Sequence, residues 1–407
     1  MKACFITYGC KVNQAESQKW EKELKLKGYT VTTNPEEADI WIINTCAVTH
    51  KAEVQSRQII DKAKKTGKKA YVTGCYVGLC NPEGTENLKV FANFEKGNII
   101  NDFIALNKSD KLNISRHRAI VKIQDGCNQF CSYCIVPYLR GTPRSYKFEE
   151  ILREINDYTS MGIKEIVLSG INIGLYGIDF ENKTGLNKLL KALLKETSGF
   201  RIRLSSIEVN HIDDEFLEII SDRRICKHLH IPIQHGSDRI LNLMNRPYNS
   251  IQFLHVIEKI LKLYPDIAIG TDVILGFPSE TEEDFKKTLQ LIEKIEFSYL
   301  HVFPYSNRPF TKASQMSEHI PENIKKERAN YLIKIGKKKK SEYIKKFLGS
   351  ELEVIFENKK NGFFSGTSDN YIKCFIDNKE LIPGNISKVI VNYVDEEYAF
   401  VSLINNR

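Results

Sequence analysis

Three closely spaced cysteines are the strongest chemical signal in the sequence. Cys127, Cys131 and Cys134 stand in the run Cys-Asn-Gln-Phe-Cys-Ser-Tyr-Cys. Three thiolates on one short loop can hold three irons of a cubane 4Fe–4S cluster, which leaves the fourth iron free to chelate a small molecule. Zinc sites more usually show paired C-x2-C knuckles with a fourth ligand, and none is found nearby. The spacing therefore favours a cluster over zinc or a chance trio of buried thiols.

A second set of cysteines is spread along the N-terminal segment. Cys10, Cys46 and Cys75 each close a predicted strand and stand beside glycine or threonine. Parallel strands bring their carboxyl ends to one edge of a sheet, so thiols that are distant in sequence can meet there. Three unrelated buried thiols are the alternative, but they would not explain why each one closes a strand. We therefore expect a second cluster site.

The remaining cysteines are not expected to carry chemistry. Structural burial is the prediction for all four, and a spare thiol near the second cluster site is the alternative for one of them, Cys80. These cysteines are Cys4, Cys80, Cys226 and Cys374. The N-terminus lacks the apolar stretch of a signal peptide, and no apolar run predicts a membrane span. We expect a cytoplasmic protein, whose thiols stay reduced.

Three folded parts must position these cysteines. The first alternates apolar strands with polar helices, and this order predicts a parallel α/β domain over residues 1–105. Its predicted strands are 3–8, 40–44 and 70–73, and its predicted helices are 14–27 and 52–66. The polar stretch 101–115 is the predicted linker.

The middle part, residues 113–340, continues the alternation for about six βα units. This predicts an α/β fold with a partial (βα)6 barrel, whose chemistry lies at the carboxyl ends of its strands. The predicted strands are 119–124, 165–169, 201–205, 228–233, 268–275 and 299–304. The predicted helices are 148–161, 186–196, 213–221, 251–263 and 282–295.

The last part, residues 345–407, changes to short strands alone, at 352–356, 363–366, 371–376, 387–393 and 400–403. Five short strands predict a small all-β barrel of the oligonucleotide-binding kind. A lysine-rich helix precedes it, with seven lysines against the single acid Glu342 between Tyr331 and Ser350. The net charge of +8 suits a polyanionic partner. Taken alone, the lysines are equally well a solvated helix face.

The cysteine loop resembles the signature of radical S-adenosylmethionine enzymes. The continuation Ile135-Val-Pro-Tyr-Leu-Arg140-Gly141 is similar to the methylthiotransferase branch of that family, which also has the N-terminal three-cysteine domain. The segments around Gly9-Cys10-Lys11-Val12-Asn13-Gln14 and Asn44-Thr-Cys46-Ala-Val-Thr49 resemble the subgroup that acts on threonylcarbamoyladenosine in tRNA. The resemblance spans nearly the whole chain, with its three domains in the same order.

The resemblance implies two 4Fe–4S clusters and two uses of S-adenosylmethionine. One molecule methylates a sulfur at the Cys10/Cys46/Cys75 cluster, and the other is cleaved to a radical at the Cys127/Cys131/Cys134 cluster. The radical removes hydrogen from C2 of the modified adenine 3′ to the anticodon, where acid–base catalysis has no route. The implied partners are a tRNA, a sulfur donor and an electron donor such as flavodoxin or ferredoxin.

The resemblance also implies roles for residues outside the clusters. Gly170 and Asn172 resemble the strand end that meets the methionine part of the cofactor, and similar roles follow for Ser206, Glu208, Gln234 and Asp272. His235 and Ser279 depart from the family pattern, and we assign no histidine to a metal. The terminal barrel becomes a tRNA-binding (TRAM-like) module. Its expected RNA contacts are Lys337, Lys338, Lys339, Lys340, Phe363 and Tyr371.

Two rival functions stay open from the sequence. The nearer one is the same chemistry on isopentenyladenosine in tRNA or on a ribosomal protein. The farther one is a metal-bearing RNA-binding protein without enzymatic activity. A place in the hydrophobic core of the terminal barrel is the alternative for Phe364 and Tyr371, because aromatic residues of a small barrel are often buried there.

Overall fold

The computed structural model describes residues 2–104, 117–360, 362–377 and 381–404. Its first domain is a five-stranded parallel sheet with the strand order β2-β1-β3-β4-β5. The central strand β3 is buried along its whole length, as its run of apolar residues requires. The elements are β1 (Lys2–Thr7), α1 (Lys11–Leu26), β2 (Thr30–Thr32), β3 (Ile40–Thr45), α2 (His50–Thr66), β4 (Lys69–Gly74), α3 (Cys75–Cys80), β5 (Leu88–Val90) and α4 (Asn98–Ile104).

The predicted α/β domain is confirmed, with one correction at its end. Residues 101–104 belong to α4 and not to a linker, because Ile99, Ile100 and Phe103 pack into the domain core beside Tyr29. The rest of the predicted linker, 105–115, lies outside the described residues. The short strands β2 and β5 were not predicted, since three residues carry too little pattern.

The middle domain is an open barrel of six parallel strands. They form two sheets, β10-β9-β6 and β11-β12-β13, and a single bridge between Ser206 and His230 joins the sheets. The elements are β6 (Ala119–Lys122), β7 (Gln124–Asp125), α5 (Val136–Arg140), β8 (Arg144–Ser145), α6 (Phe148–Ser160), β9 (Glu165–Ser169), α7 (Leu186–Glu196), β10 (Arg201–Leu204), α8 (Asp214–Ile219), β11 (His228–His230), α9 (Asp238–Leu243), α10 (Ser250–Leu263), β12 (Ala268–Leu275), α11 (Glu282–Lys294), β13 (Tyr299–Pro304) and α12 (Glu322–Lys345).

The partial barrel is confirmed, and two of its strands differ from the prediction. The first predicted strand is broken, because β7 leaves the barrel and pairs with β8 beside the cysteine loop. The strand predicted at 228–233 ends at His230, and the chain then turns through Gln234, which has a positive φ of 69°. The apolar stripes of the surrounding helices fill the main core of the molecule.

The last domain is a closed barrel of five strands, as predicted, and its strand order is β14-β15-β16-β18-β17. It packs on the middle domain through β10, where Arg201 donates to the carbonyls of Glu353 and Thr367 and Arg203 donates to that of Ser368. The strands are β14 (Glu351–Lys360), β15 (Phe363–Ser368), β16 (Lys373–Ile376), β17 (Ile386–Asp395) and β18 (Tyr398–Leu403). Within the described ranges, every helix is too short or too polar to span a bilayer.

Candidate active site

The three N-terminal cysteines lie at one edge of the first sheet. Cys10 caps α1, Cys46 follows β3, and Cys75 begins α3. Their strands are neighbours in register, with Thr45 paired to Gly74. Gly9 lies so close to Cys46 that a Cβ on Gly9 would stand 2.7 Å from the Cys46 sulfur, and its φ of +97° also requires glycine. The structure therefore brings these cysteines together as expected.

Two polar side chains hold the loops that carry these thiols. Asn13 donates its amide to the carbonyls of Tyr8 and Thr45, both at 2.9 Å, which ties the start of α1 to the end of β3. Ser56 accepts from the backbone N–H of Cys46 at 3.0 Å and donates to its carbonyl at 2.9 Å. The sequence analysis quoted Asn13 for its resemblance to the family but predicted this structural role for neither residue.

The other three cysteines lie on the loop between β7 and α5. Two backbone hydrogen bonds hold the loop in place. At its start the N–H of Cys127 donates to the carbonyl of Gly141 at 3.0 Å, and in its middle the N–H of Ser132 donates to the carbonyl of Met244 at 3.0 Å. Phe130 adopts a positive φ of 46°, which turns the chain so that the loop folds back on itself. The thiols of Cys127, Cys131 and Cys134 thus come from one compact loop.

Arg246 lies beside this loop, and the sequence analysis did not predict it. Its guanidinium donates to the sulfur of Cys131 at 3.1 Å and also pairs with Glu208. Tyr248 accepts from the same guanidinium and donates to the carbonyl of Pro232. A buried cation on a thiol stabilises the thiolate that an iron needs. An arginine more than a hundred positions from the cysteines leaves no local sequence signal.

The donor sets fit iron–sulfur clusters better than single metal ions. Within the described ranges, only His230, Asp272 and His301 form a group whose ligand atoms all lie within 4.8 Å of one another. In each cysteine triad, therefore, at least one pair of sulfurs lies more than 4.8 Å apart. A tetrahedral zinc ion with bonds of about 2.3 Å would draw its sulfurs to about 4 Å apart. A cubane places each thiolate on a separate iron and accepts the wider spacing.

Burial keeps five of the six thiols neutral until a metal displaces their protons. It raises the pKa of Cys46 to about 12 and that of Cys134 to about 12, and it also raises the pKa values of Cys75, Cys127 and Cys131. Near the first triad, Asn44 Oδ1 and Thr73 Oγ1 are buried without a hydrogen-bond partner among the described residues. Such orphaned polar atoms are expected where a bound group completes the site.

Arg140 connects the two cysteine sites. It ends α5, which follows the Cys134 loop, and its buried guanidinium donates to Asn13 Oδ1 at 2.6 Å. The same cation interacts electrostatically with the thiols of Cys75 and Cys10. It opposes the rise in the pKa of Cys75 that burial causes. Both cysteine triads therefore stand against one interface between the first and second domains.

A buried ionic network holds that interface together. One oxygen of Glu16, on α1, accepts from Lys96 at 2.6 Å, from Lys122 at 2.8 Å and from Arg140 at 3.2 Å. Asp125 accepts from Arg140 at 2.9 Å and from Lys122 at 3.1 Å. Burial alone would raise the pKa of Asp125, but Lys122 and Arg140 outweigh it and lower that pKa to about 2.

The predicted cofactor residues Gly170 and Asn172 lie together at the end of β9. The backbone N–H of Asn172 donates to the side chain of Gln124 at 3.0 Å, and its side-chain oxygen accepts from the N–H of Gly174. A Cβ on Gly170 would stand 2.9 Å from the Gln124 oxygen, so a larger residue there would displace the Gln124 side chain. Ser169 and Ser205 end neighbouring strands with buried hydroxyls that lack partners among the described residues. These orphaned hydroxyls fit a polar ligand in the barrel.

The other predicted cofactor residues fall into two groups. Ser206 and Glu208 follow β10, and Glu208 is held by Arg246 beside the cysteine loop. Gln234 and Asp272 are joined by backbone, where Gln234 donates to the carbonyl of Asp272 at 2.9 Å. Burial would raise the pKa of Asp272, but hydrogen bonds from His230 at 2.9 Å and His301 at 3.2 Å hold it well below its usual range.

The predicted RNA contacts are only partly on the surface. Lys337 and Lys338 are exposed, whereas Lys339 donates to the carbonyl of Ile295 at 2.8 Å and Lys340 pairs with Glu397 at 3.1 Å. These last two lysines therefore stabilise the packing of α12.

The two predicted aromatic contacts also differ. Phe363 is exposed, but Tyr371 stacks on His228 with ring centroids 4.1 Å apart, between the two barrels. Four aromatic residues missed from sequence lie near Phe363 on the terminal barrel. They are Phe375, Tyr393, Tyr398 and Phe400.

One prediction about the remaining cysteines is wrong. Cys4, Cys226 and Cys374 are buried as expected, but Cys80 is exposed. It is the last residue of α3, five positions after Cys75, and its exposure contradicts the predicted burial.

Comparison with known proteins agrees with this geometry. Residues 121–292 match the radical SAM superfamily, and residues 2–91 match a family described as uncharacterized protein family UPF0004. The chain is 39% identical to threonylcarbamoyladenosine tRNA methylthiotransferase MtaB of Aquifex aeolicus, over 88% of this chain and 94% of the relative. It is 36% identical to the protein of the same name from Bacillus subtilis, over 99% and 97%.

Other relatives carry a different substrate in their names. The chain is 35% identical to tRNA-2-methylthio-N(6)-dimethylallyladenosine synthase of Fervidobacterium nodosum, over 95% of each sequence. Among solved structures, the radical S-adenosylmethionine methyltransferase TsrM of Kitasatospora setae superposes with a TM-score of 0.55, at 10% identity, over 77% of this chain and 76% of that one. At that identity the likeness shows the fold alone.

Proposed function

The chain belongs to the radical SAM tRNA methylthiotransferase family, and on that premise we propose that it adds a methylthio group to C2 of threonylcarbamoyladenosine at position 37 of tRNA, 3′ to the anticodon. Members of this family use S-adenosylmethionine and two 4Fe–4S clusters. When bound, these groups supply the radical hydrogen abstraction and the sulfur transfer, which side chains cannot perform.

The observation that carries the proposal is the pair of cysteine triads at one domain interface. In this proposal Cys127, Cys131 and Cys134 hold the cluster that binds S-adenosylmethionine, and Cys10, Cys46 and Cys75 hold the second. Arg140 and Asn13 keep the two loops in fixed relation through the contact at 2.6 Å. A zinc-bearing RNA-binding protein would need only one such site.

The chain's own residues bind, orient and shield the reactants. We assign Gly170 and Asn172 to the methionine part of S-adenosylmethionine, because glycine lets the backbone approach a ligand. We assign Ser206, which follows β10, Gln234, which follows β11, and Asp272, which lies on β12, to the same cofactor. Glu208 acts by holding Arg246 against the sulfur of Cys131.

Lys337, Lys338 and Phe363 supply the surface for tRNA in this proposal. Exposed lysines attract phosphates without reading sequence, and exposed aromatic rings stack on unpaired bases. Tyr393 and Tyr398, also exposed on the terminal barrel, extend that surface. The reaction further needs an electron donor such as flavodoxin or ferredoxin and a sulfur donor, and we place it in the cytoplasm.

The choice of threonylcarbamoyladenosine rests on the relatives that share this name at 35–39% identity and on the segments around Cys10 and Cys46. The test is nucleoside mass spectrometry after incubating the reconstituted enzyme, S-adenosylmethionine and dithionite with tRNA that carries either modified adenosine. We expect the methylthio product from threonylcarbamoyl tRNA. Product from isopentenyl tRNA alone would assign the other substrate, and product from neither would refute the proposal.

A further inference from the structure

Lys11 is turned into the interior of the open barrel. It begins α1 directly after Cys10, and one turn later Ala15 packs against Ile120 of β6 and Val167 of β9. The neighbours of Val167 on its strand pack under the helices, so Val167 faces inward. Residues four apart share one face of a helix, which places Lys11 on the same inward face as Ala15.

The acids around Lys11 already have other partners. Its nearby carboxylates are Glu165 and Asp272, and its nearby cations are Arg203 and Arg118. Glu165 accepts from Arg201 at 2.7 Å and from Arg203 at 2.9 Å. Among the described residues, none forms a hydrogen bond or ion pair with the half-buried ammonium of Lys11.

Asp272 also has hydrogen-bond partners other than Lys11. Its carboxylate accepts from His230 and from His301. The interior therefore holds one ammonium more than its carboxylates satisfy. A half-buried charge without a partner is costly, and a site with surplus positive charge favours an anionic guest.

A ligand can reach this ammonium from solvent. The barrel is open beside β13, where the side chain of His301 is 52% exposed and that of Asp272 is 26% exposed. The adjacent residue Cys10 belongs to the triad that we assign to the second cluster. An anion bound by Lys11 would thus lie beside the place where a methylthio group is delivered.

We propose that Lys11 is the specificity-determining residue, which binds the carboxylate of the threonylcarbamoyl group on the target adenosine. This inference rests on the proposed function. The threonyl group carries a carboxylate, whereas a dimethylallyl group carries no charge and no hydrogen-bonding atom. A neutral apolar group would leave the ammonium unpaired, so the same side chain favours one substrate and disfavours the other.

The test compares two synthetic anticodon stem–loops that differ in one functional group of the modified adenosine. One carries N6-threonylcarbamoyladenosine, and the other carries the same nucleoside with its carboxylate converted to the primary amide. Binding to the reconstituted holoenzyme is measured by fluorescence anisotropy without reductant, so that no turnover occurs. We expect the wild type to prefer the carboxylate by about tenfold or more, the gain from one charge-assisted hydrogen bond.

Variants at position 11 then show whether Lys11 causes the preference for the carboxylate. Lys11→Gln should bind both stem–loops equally, and Lys11→Arg should keep most of the preference. Lys19→Gln is the matched control, because Lys19 lies on the same helix but is exposed and pairs with Glu154. Iron content must stay at the wild-type value, which shows that the neighbouring triad is intact.

Three results would overturn the inference. The first is an unchanged carboxylate preference in Lys11→Gln, and the second is no preference in the wild type. The third is a loss of S-adenosylmethionine affinity by Lys11→Gln without RNA, since the anion would then be the carboxylate of the cofactor. Failure of the proposed function looks different, because the wild type would then form no methylthio product from the threonylcarbamoyl stem–loop.

Discussion

Replacing Glu16 with Gln should loosen the contact between the first and second domains. Glu16 is 4% exposed and accepts hydrogen bonds from Lys96, Lys122 and Arg140. Glutamine keeps the size of the side chain but removes its charge. Three buried cations would then share Asp125 as their remaining carboxylate in this network.

The size of the effect follows from the burial of this network. Removing one partner of a buried ion pair costs about 3–5 kcal/mol, because the other charges stay buried without compensation. About 1.4 kcal/mol corresponds to a factor of ten, so the local opening equilibrium should rise by roughly 100-fold to a few thousandfold. The opening should be confined to α1, β6 and helix α5, which ends at Arg140, since the terminal barrel has its own core.

Hydrogen–deuterium exchange of the apo chain measures this opening directly. Amides of α1 and β6 should exchange faster in Glu16→Gln, and amides of β14–β18 should not change. Glu154→Gln is the control, because its pairing with the exposed Lys19 across the same interface has an N···O distance of 3.9 Å and is worth at most about 1 kcal/mol. Equal protection of α1 in both variants would refute the role of the network.

Three further predictions test other contacts. Arg246→Gln should lower 5′-deoxyadenosine formation by roughly 10–100-fold with iron content retained, because it removes one charge-assisted hydrogen bond to the Cys131 sulfur; unchanged formation would contradict this. Gly270→Ala should lower the free energy of unfolding by about 1–3 kcal/mol, measured by urea titration, because its Cβ would stand 2.0 Å from the Tyr299 ring; a neutral result would show that the ring moves freely. The pKa of Asp125 in the folded chain is about 2, below its usual value near 4. Its contribution to the free energy of unfolding should therefore be complete above about pH 4 and lost as pH falls towards 2. Thermal unfolding of the wild type between pH 5 and pH 2 should show this loss, and a flat profile would contradict it.

The sequence predicted the fold where its patterns were long. Alternating strands and helices identified the parallel sheet and the six-stranded barrel, because buried parallel strands are continuous apolar runs. The shift to strands alone after α12 identified the terminal barrel. The convergence of Cys10, Cys46 and Cys75 followed from topology, since neighbouring parallel strands end at one edge.

The sequence could not predict contacts between distant segments. Arg246, Arg140 and Glu16 form the electrostatic links of the site, but each is an ordinary charged residue in its own segment. Tyr371 was expected on an RNA surface, and the structure stacks it on His228 because the two barrels meet there. Lys340 was expected to contact RNA, and in the structure it pairs with Glu397 of the terminal barrel. Such pairings depend on domain packing, which local patterns do not encode.

Iron content after anaerobic reconstitution tests the central claim most directly. We predict about eight irons per chain for the wild type and about four for either Cys46→Ala or Cys131→Ala, with Cys80→Ala unchanged. Only the Cys131 variant should also lose dithionite-dependent 5′-deoxyadenosine formation. A wild-type chain that binds zinc, or one that holds about four irons and loses none in Cys46→Ala, would contradict the assignment of two cluster sites.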